Sequence, residues 1–122
     1  YTVTGEVRYE RSQPIYVALV RQEQFPFTNL NTPYQIFLPK PDTSQGEKRF
    51  VFQFSGLQAG EYAIVAFQDK NGNGILDLGL FGPTEPWDMS FVTNRPRFRA
   101  PRFRDASFRV PEGNRYFILT LE

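Results

Sequence analysis

The chain has 122 residues, 40% hydrophobic and 22% charged, with a net charge of +1. Those values suit one folded domain, residues 1–122, and argue against disorder. Thirteen Phe and six Tyr against a single Met point to a core of rings and branched aliphatics, which pack well on pleated strands. Cys and His are both absent, which excludes disulfides, thiol nucleophiles, thiolate or imidazole metal sites and the commonest general base. No apolar run reaches the roughly 18 residues of a membrane span. The first residue is Tyr1 rather than Met, as a cleaved signal peptide or an upstream segment would leave it.

In chain order, residues 2 to 10 alternate apolar and polar, with Val3, Val7 and Tyr9 on one face of an expected strand. Ser12-Gln13-Pro14 turns the chain into a second, more continuously apolar strand, Ile15 to Val20, expected to lie centrally. Residues 25 to 34 carry Pro26, Asn29, Asn31 and Pro33, which is loop chemistry. Tyr34 to Leu38 reads as a short strand. Phe50, Phe52 and Phe54 share one face of the next, Arg49 to Phe54. A glycine-bounded turn, Gly56-Leu57-Gln58-Ala59-Gly60, then leads through Tyr62 into the apolar run Ala63 to Phe67.

That run delivers the chain into Asp69-Lys70-Asn71-Gly72-Asn73-Gly74-Ile75-Leu76-Asp77, where oxygen side chains recur at every second position. Calcium takes 6 to 8 oxygen ligands, and loops of the EF-hand type supply them from positions 1, 3, 5, 7 and 9 with Gly at 6. Counted from Asp69, the stretch offers Asn71, Asn73, the Ile75 carbonyl and Asp77 in those places, with Gly74 at the turn. Position 12, where a bidentate Glu belongs, is Leu80, so a carboxylate must come from further on; Glu85 and Asp88 are nearest. An Asn-Gly hairpin turn is the simpler reading, but a turn needs neither Asp at both ends nor the whole oxygen series.

Residues 69–101 are expected to form one long loop, its second part broken by Gly79, Gly82, Pro83, Pro86, Pro96 and Pro101. Phe81, Trp87 and Phe91 in it are rings able to stack on a ligand or to cap the fold. Arg97, Arg99 and Arg102 belong to an Arg-rich arm, residues 95–104; residues 95 to 109 hold six Arg and one Asp, a net of +5 that leaves −4 elsewhere. Arginines interleaved with rings suit a polyanion, but a solvated face is the commoner meaning, and a nucleic-acid partner is not expected. Ala106 to Val110 and Tyr116 to Leu121 read as closing strands joined by a Gly113-Asn114 hairpin.

About seven short strands make the expected fold all-β, a single antiparallel β-sandwich of immunoglobulin-like or transthyretin-like type. Its core is expected to hold Val7, Leu19, Phe50, Phe52, Phe54, Ile64, Val65, Phe67, Phe108 and Ile118. The strand, Gly-Leu-x-x-Gly-x-Tyr turn and strand resemble the corner of transthyretin-like sandwiches. Ala59-Gly60-Glu61-Tyr62-Ala63, Asp69-x-Asn71-x-Asn73-Gly74-x-Leu76-Asp77, Gly82-Pro83-x-Glu85-Pro86, Ser90 and Pro101-x-Phe103-x-x-Ala106-x-Phe108 together resemble a bacterial secreted family, domain of unknown function 2141, over residues 54 to 110. The chain departs from that pattern at Trp87-Asp88-Met89, where the family favours Gly and an aromatic before the Ser. The resemblance implies that Phe103 and Phe108 anchor packing. The functional expectation is a secreted, periplasmic or cell-surface calcium-binding module without catalytic activity, meeting a protein or glycan partner at the cell surface. Its rival is a polyanion- or glycan-binding domain using the arm and Trp87.

Overall fold

The computed structural model describes residues 1–24, 34–41, 44, 48–69, 78–79, 82–83, 87–90, 103–111 and 116–121. Ten strands and two helical turns are placed among them: β1 (Val3–Tyr9), β2 (Ile15–Val20), a 3-10 turn (Gln22–Gln24), β3 (Gln35–Leu38), β4 (Arg49–Phe54), β5 (Gly60–Gln68), β6 (Leu78–Gly79), β7 (Gly82–Pro83), β8 (Trp87–Met89), α1 (Phe103–Ala106), β9 (Phe108–Val110) and β10 (Tyr116–Leu121). A three-stranded sheet runs β10-β1-β4, and a five-stranded sheet runs β3-β2-β5-β8 with β9 beside the first residues of β5. β6 and β7 form a separate two-stranded pair.

The two larger sheets face each other as a sandwich, and alternation decides what lies between them. Val3, Val7, Tyr9, Phe52, Phe54, Leu119 and Leu121 project from one sheet onto Ile15, Val17, Leu19, Tyr62, Ile64 and Ala66 of the other. At Gly5 the layer leaves no room for a side chain: a Cβ there would lie 2.5 Å from the Phe117 carbonyl oxygen and 2.7 Å from Phe52. β5 is buried on both faces. Ala63, Val65 and Phe67 belong to a second cluster on the outer face of the larger sheet, covered by Phe103 and Ala106 of α1.

Three expectations are corrected here. Ile118 is exposed, not core, because β10 lies parallel to β1 with Leu119 beside Val7, and that register turns Phe117, Leu119 and Leu121 inward. The last two strands do not form a hairpin: β9 pairs with β5 in one sheet and β10 with β1 in the other. The long loop is interrupted, since β8 adds to β5 with Trp87 opposite Phe67. Phe50 is half-buried, and Phe103 and Phe108 are buried as anchors.

The corner between β4 and β5 carries its own lock. Gly56 takes a left-handed φ of 72°, which favours glycine. Tyr1 and Leu57 exchange two backbone bonds of 3.0 Å. The Tyr62 hydroxyl donates back to the Gln58 carbonyl at 2.8 Å, the arrangement of the tyrosine corner in Greek-key sandwiches. Arg21 lies over the Tyr62 ring at 5.1 Å and donates to its hydroxyl at 2.9 Å.

Candidate functional site

The oxygen-rich stretch begins where β5 ends, and its first residue is firmly held. Asp69 donates its backbone N–H to the Pro14 carbonyl at 2.9 Å and is 3% exposed. The preceding Gln68, fully buried, donates its side-chain amide to the carbonyls of Arg11 (2.8 Å) and Gln13 (3.1 Å). The β1–β2 connection, which crosses between the sheets, is thus clamped to the end of β5. Among the described residues, the buried side-chain carbonyl oxygens of Gln13 and Gln68 find no hydrogen-bond donor. Asn71, Asn73, Ile75, Asp77 and Glu85 lie outside the described residues, as do Arg97, Arg99, Arg102, Phe81 and Phe91.

The Asp69 carboxylate shares the outer face of the larger sheet with Tyr16, whose hydroxyl pKa is raised first by burial and then by the Asp69 charge. On that face a row of rings crosses the strands, Phe37, Tyr16, Phe67 and Trp87, each opposite the next in register. Tyr16 and Phe67 are nearly parallel, 13° apart with centroids at 5.2 Å; Tyr16 and Phe37 are 4.5 Å apart at 32°. Rings so stacked turn their faces to one another and their edges outward. Trp87, half-buried, ends the row beside Phe67.

The residues after Trp87 serve the fold. Asp88, the other carboxylate near the loop in sequence, has both oxygens engaged by backbone: Oδ1 accepts from the Met89 N–H and Oδ2 from the Thr120 N–H, both at 2.9 Å. Its carboxylate thereby ties the β8 edge of one sheet to the β10 edge of the other. Ser90 Oγ accepts from the Ile64 N–H and donates to the Ala106 carbonyl, both at 2.8 Å, so the buried hydroxyl joins α1 to β5. Beyond the arm's undescribed part, Arg104 is exposed on α1, and Arg109 is exposed 3.7 Å from the Glu61 carboxylate, an ion pair of little energetic weight.

Sequence reasoning missed Glu6. It sits on the polar phase of β1 yet is 3% exposed, accepting from Arg8 Nε at 2.8 Å, Tyr116 Oη at 3.0 Å and Arg49 Nη1 at 3.2 Å. The only local signal was an Arg two residues along the same face, too common to notice. Among the described residues no helix is long and apolar enough to cross a membrane.

A family described as an uncharacterized protein conserved in bacteria, domain of unknown function 2141, matches residues 7–117. The chain belongs to this family. For the 2141 family the match takes in both larger sheets and every strand but the first residues of β1 and the last of β10. No curated protein and no solved structure matches the chain.

Proposed function

We propose that the chain is a secreted or cell-surface calcium-binding β-sandwich module of transthyretin-like type, acting by binding or by spacing rather than by chemistry. The observation that carries the reading is Asp69: a buried carboxylate, its backbone fixed to Pro14, at the point where the longest strand feeds a sequence with oxygens at alternate positions. A ligand held on a rigid strand end loses little entropy on coordinating an ion. Asn71, Asn73, the Ile75 carbonyl and Asp77 follow at the spacing of a calcium loop, with Glu85 as the completing carboxylate. A binding role fits the engagement of Ser90 and Asp88, whose side-chain oxygens are occupied by backbone groups.

Two or three side-chain carboxylates imply modest affinity, in the extracellular range of about 10⁻⁴ to 10⁻³ M. Such a site fills outside the cell and stays largely empty in cytosol, which is the support for an extracytoplasmic location. The partner is a surface protein or glycan.

The test is thermal. With free calcium at about one to ten times Kd, linkage stabilises the fold by about 0.4 to 1.4 kcal/mol, and each kcal/mol raises Tm by about 3 to 6 °C in a domain of this size. Calcium is expected to raise Tm by several degrees over chelator, magnesium to do less, Asp69→Ala to remove the shift and Glu85→Ala to weaken it. Identical melts in millimolar calcium and in chelator, with no heat of binding by calorimetry, would overturn the reading.

A further inference from the structure

β4 is the outer strand of the three-stranded sheet and, among the described residues, pairs with β1 alone. The phase of its hydrogen bonds is set by Tyr9, whose N–H donates to the Lys48 carbonyl at 3.0 Å. Antiparallel alternation then turns the peptide groups of Phe50, Phe52 and Phe54 toward β1 and those of Arg49, Val51 and Gln53 toward the outer edge. Natural sheets blunt such an edge with charge, proline or a bulge. β4 has no proline, and its single charge, Arg49 at the start, reaches back to Glu6 at 3.2 Å. Its middle residue, Val51, is 58% exposed. The opposite edge of the same sheet is met by Asp88 through Thr120.

We propose that β4 is a self-association edge, to which a second copy of the chain adds its own β4 antiparallel, centred on Val51. The sequence of the strand is complementary to itself in that register. Val51 faces Val51 of the second copy and exchanges two N–H···O=C bonds with it. Arg49 faces Gln53 of the second copy, so no like charges oppose each other, a juxtaposition that is otherwise destabilising. On the inner face Phe50, only half-buried in one copy, meets Phe52 of the second, and the Phe stripe continues across the two-fold axis. Centring the pair on Arg49 sets two arginines opposite each other, and centring it on Gln53 sets Val51 against Ser55. β3, an outer strand of the larger sheet, is less suited: its outward peptide groups are those of Gln35 and Phe37, and pairing it with itself about Phe37 sets Gln35 against Pro39, which has no N–H to donate. The product is a closed two-fold dimer with an isologous interface and a continuous sheet built from two copies of β10-β1-β4.

The absence of Cys makes a single introduced thiol a clean reporter. A hydrogen-bonded antiparallel pair holds its Cα atoms about 5.5 Å apart, within the roughly 4.4–6.8 Å that a disulfide spans. Val51→Cys is expected to oxidise to a covalent dimer that keeps the wild-type circular dichroism spectrum. Ile118→Cys, equally open to solvent at 50% exposure but on β10, stays monomeric under the same oxidant. Sedimentation of the wild type from micromolar to millimolar concentration should show a monomer–dimer equilibrium, and Val51→Lys, which opposes two ammonium groups, should raise its dissociation constant by at least about tenfold while leaving the melt cooperative. A wild type that remains monomeric at millimolar concentration, a dimer indifferent to Val51→Lys, or equal cross-linking at both cysteines would each overturn the proposal.

Discussion

Glu6 lies between Val51 and Ile118 on the outer face of the three-stranded sheet, and its carboxylate is shielded because Arg8, Arg49 and Tyr116 close over it. Hydrogen bonding to Arg8 is the largest influence on its pKa; burial opposes it, and the Tyr116 bond and the two guanidinium charges reinforce it, so the pKa falls below the ordinary 4.5. The folded state therefore binds this proton less tightly than the unfolded chain. Its contribution is complete above about pH 4.5 and is lost as pH falls through the lower folded value. Glu6→Gln is expected to cost about 1–2 kcal/mol at neutral pH, toward the low end for charge-assisted bonds because both arginines are half-exposed. The gap in Tm between wild type and variant should close as pH falls from neutral to below the ordinary 4.5; a gap that stays constant as the solution is acidified would show that the carboxylate charge contributes nothing. Pattern reading places Glu6 in water because period 2 records only which face a residue is on. The covering is supplied by Arg49 and Tyr116, far away in the chain.

Among the elements, those with a clear period were legible and those without were not. β1, β2, β4 and β5 are read from apolar alternation or apolar runs. β8 and α1 are only three and four residues long; neither is long enough to repeat its period, and both are held by tertiary bonds made by Asp88 and Ser90. β10 is apolar on both phases, Tyr116-Phe117-Ile118-Leu119, so its sequence does not choose an inward face; the parallel register with β1 does. The hairpin reading of residues 110 to 116 failed for a related reason, since local turn signals carry no information about which sheet each strand joins. Asp88 is the joint between the sheets at this edge. Asp88→Asn keeps one carbonyl oxygen where two amides need acceptors, so one bond is lost at a cost of about 1–2 kcal/mol. Amide exchange at Thr120 or Met89 should quicken by about tenfold, and unchanged protection at both would show that the carboxylate is not a tie.

At the scale of the whole molecule the sandwich follows from strand count and turn chemistry, while the order of strands within it does not. Of the candidate site, the described structure contributes the Asp69 anchor, and that anchor rests on Pro14 and Gln68, neither of which any ligand motif contains. The feature with the widest reach is the adjacency of β1 and β10. The strand nearest the start of the chain is paired on one side by the strand nearest its end, with Thr4 to Tyr9 registered against Tyr116 to Leu121. Loop-closure entropy must be met before such a pairing returns any stability, and non-local pairings of this kind slow folding relative to local ones. A chain stopping at Pro111 lacks Leu119 and Leu121 from the core and should show no cooperative melt; a sharp transition in that fragment would mean that β10 is dispensable. The same adjacency leaves the three-stranded sheet incomplete, and part of the apolar layer beneath it uncovered, until the segment that forms β10 is in place beside β1.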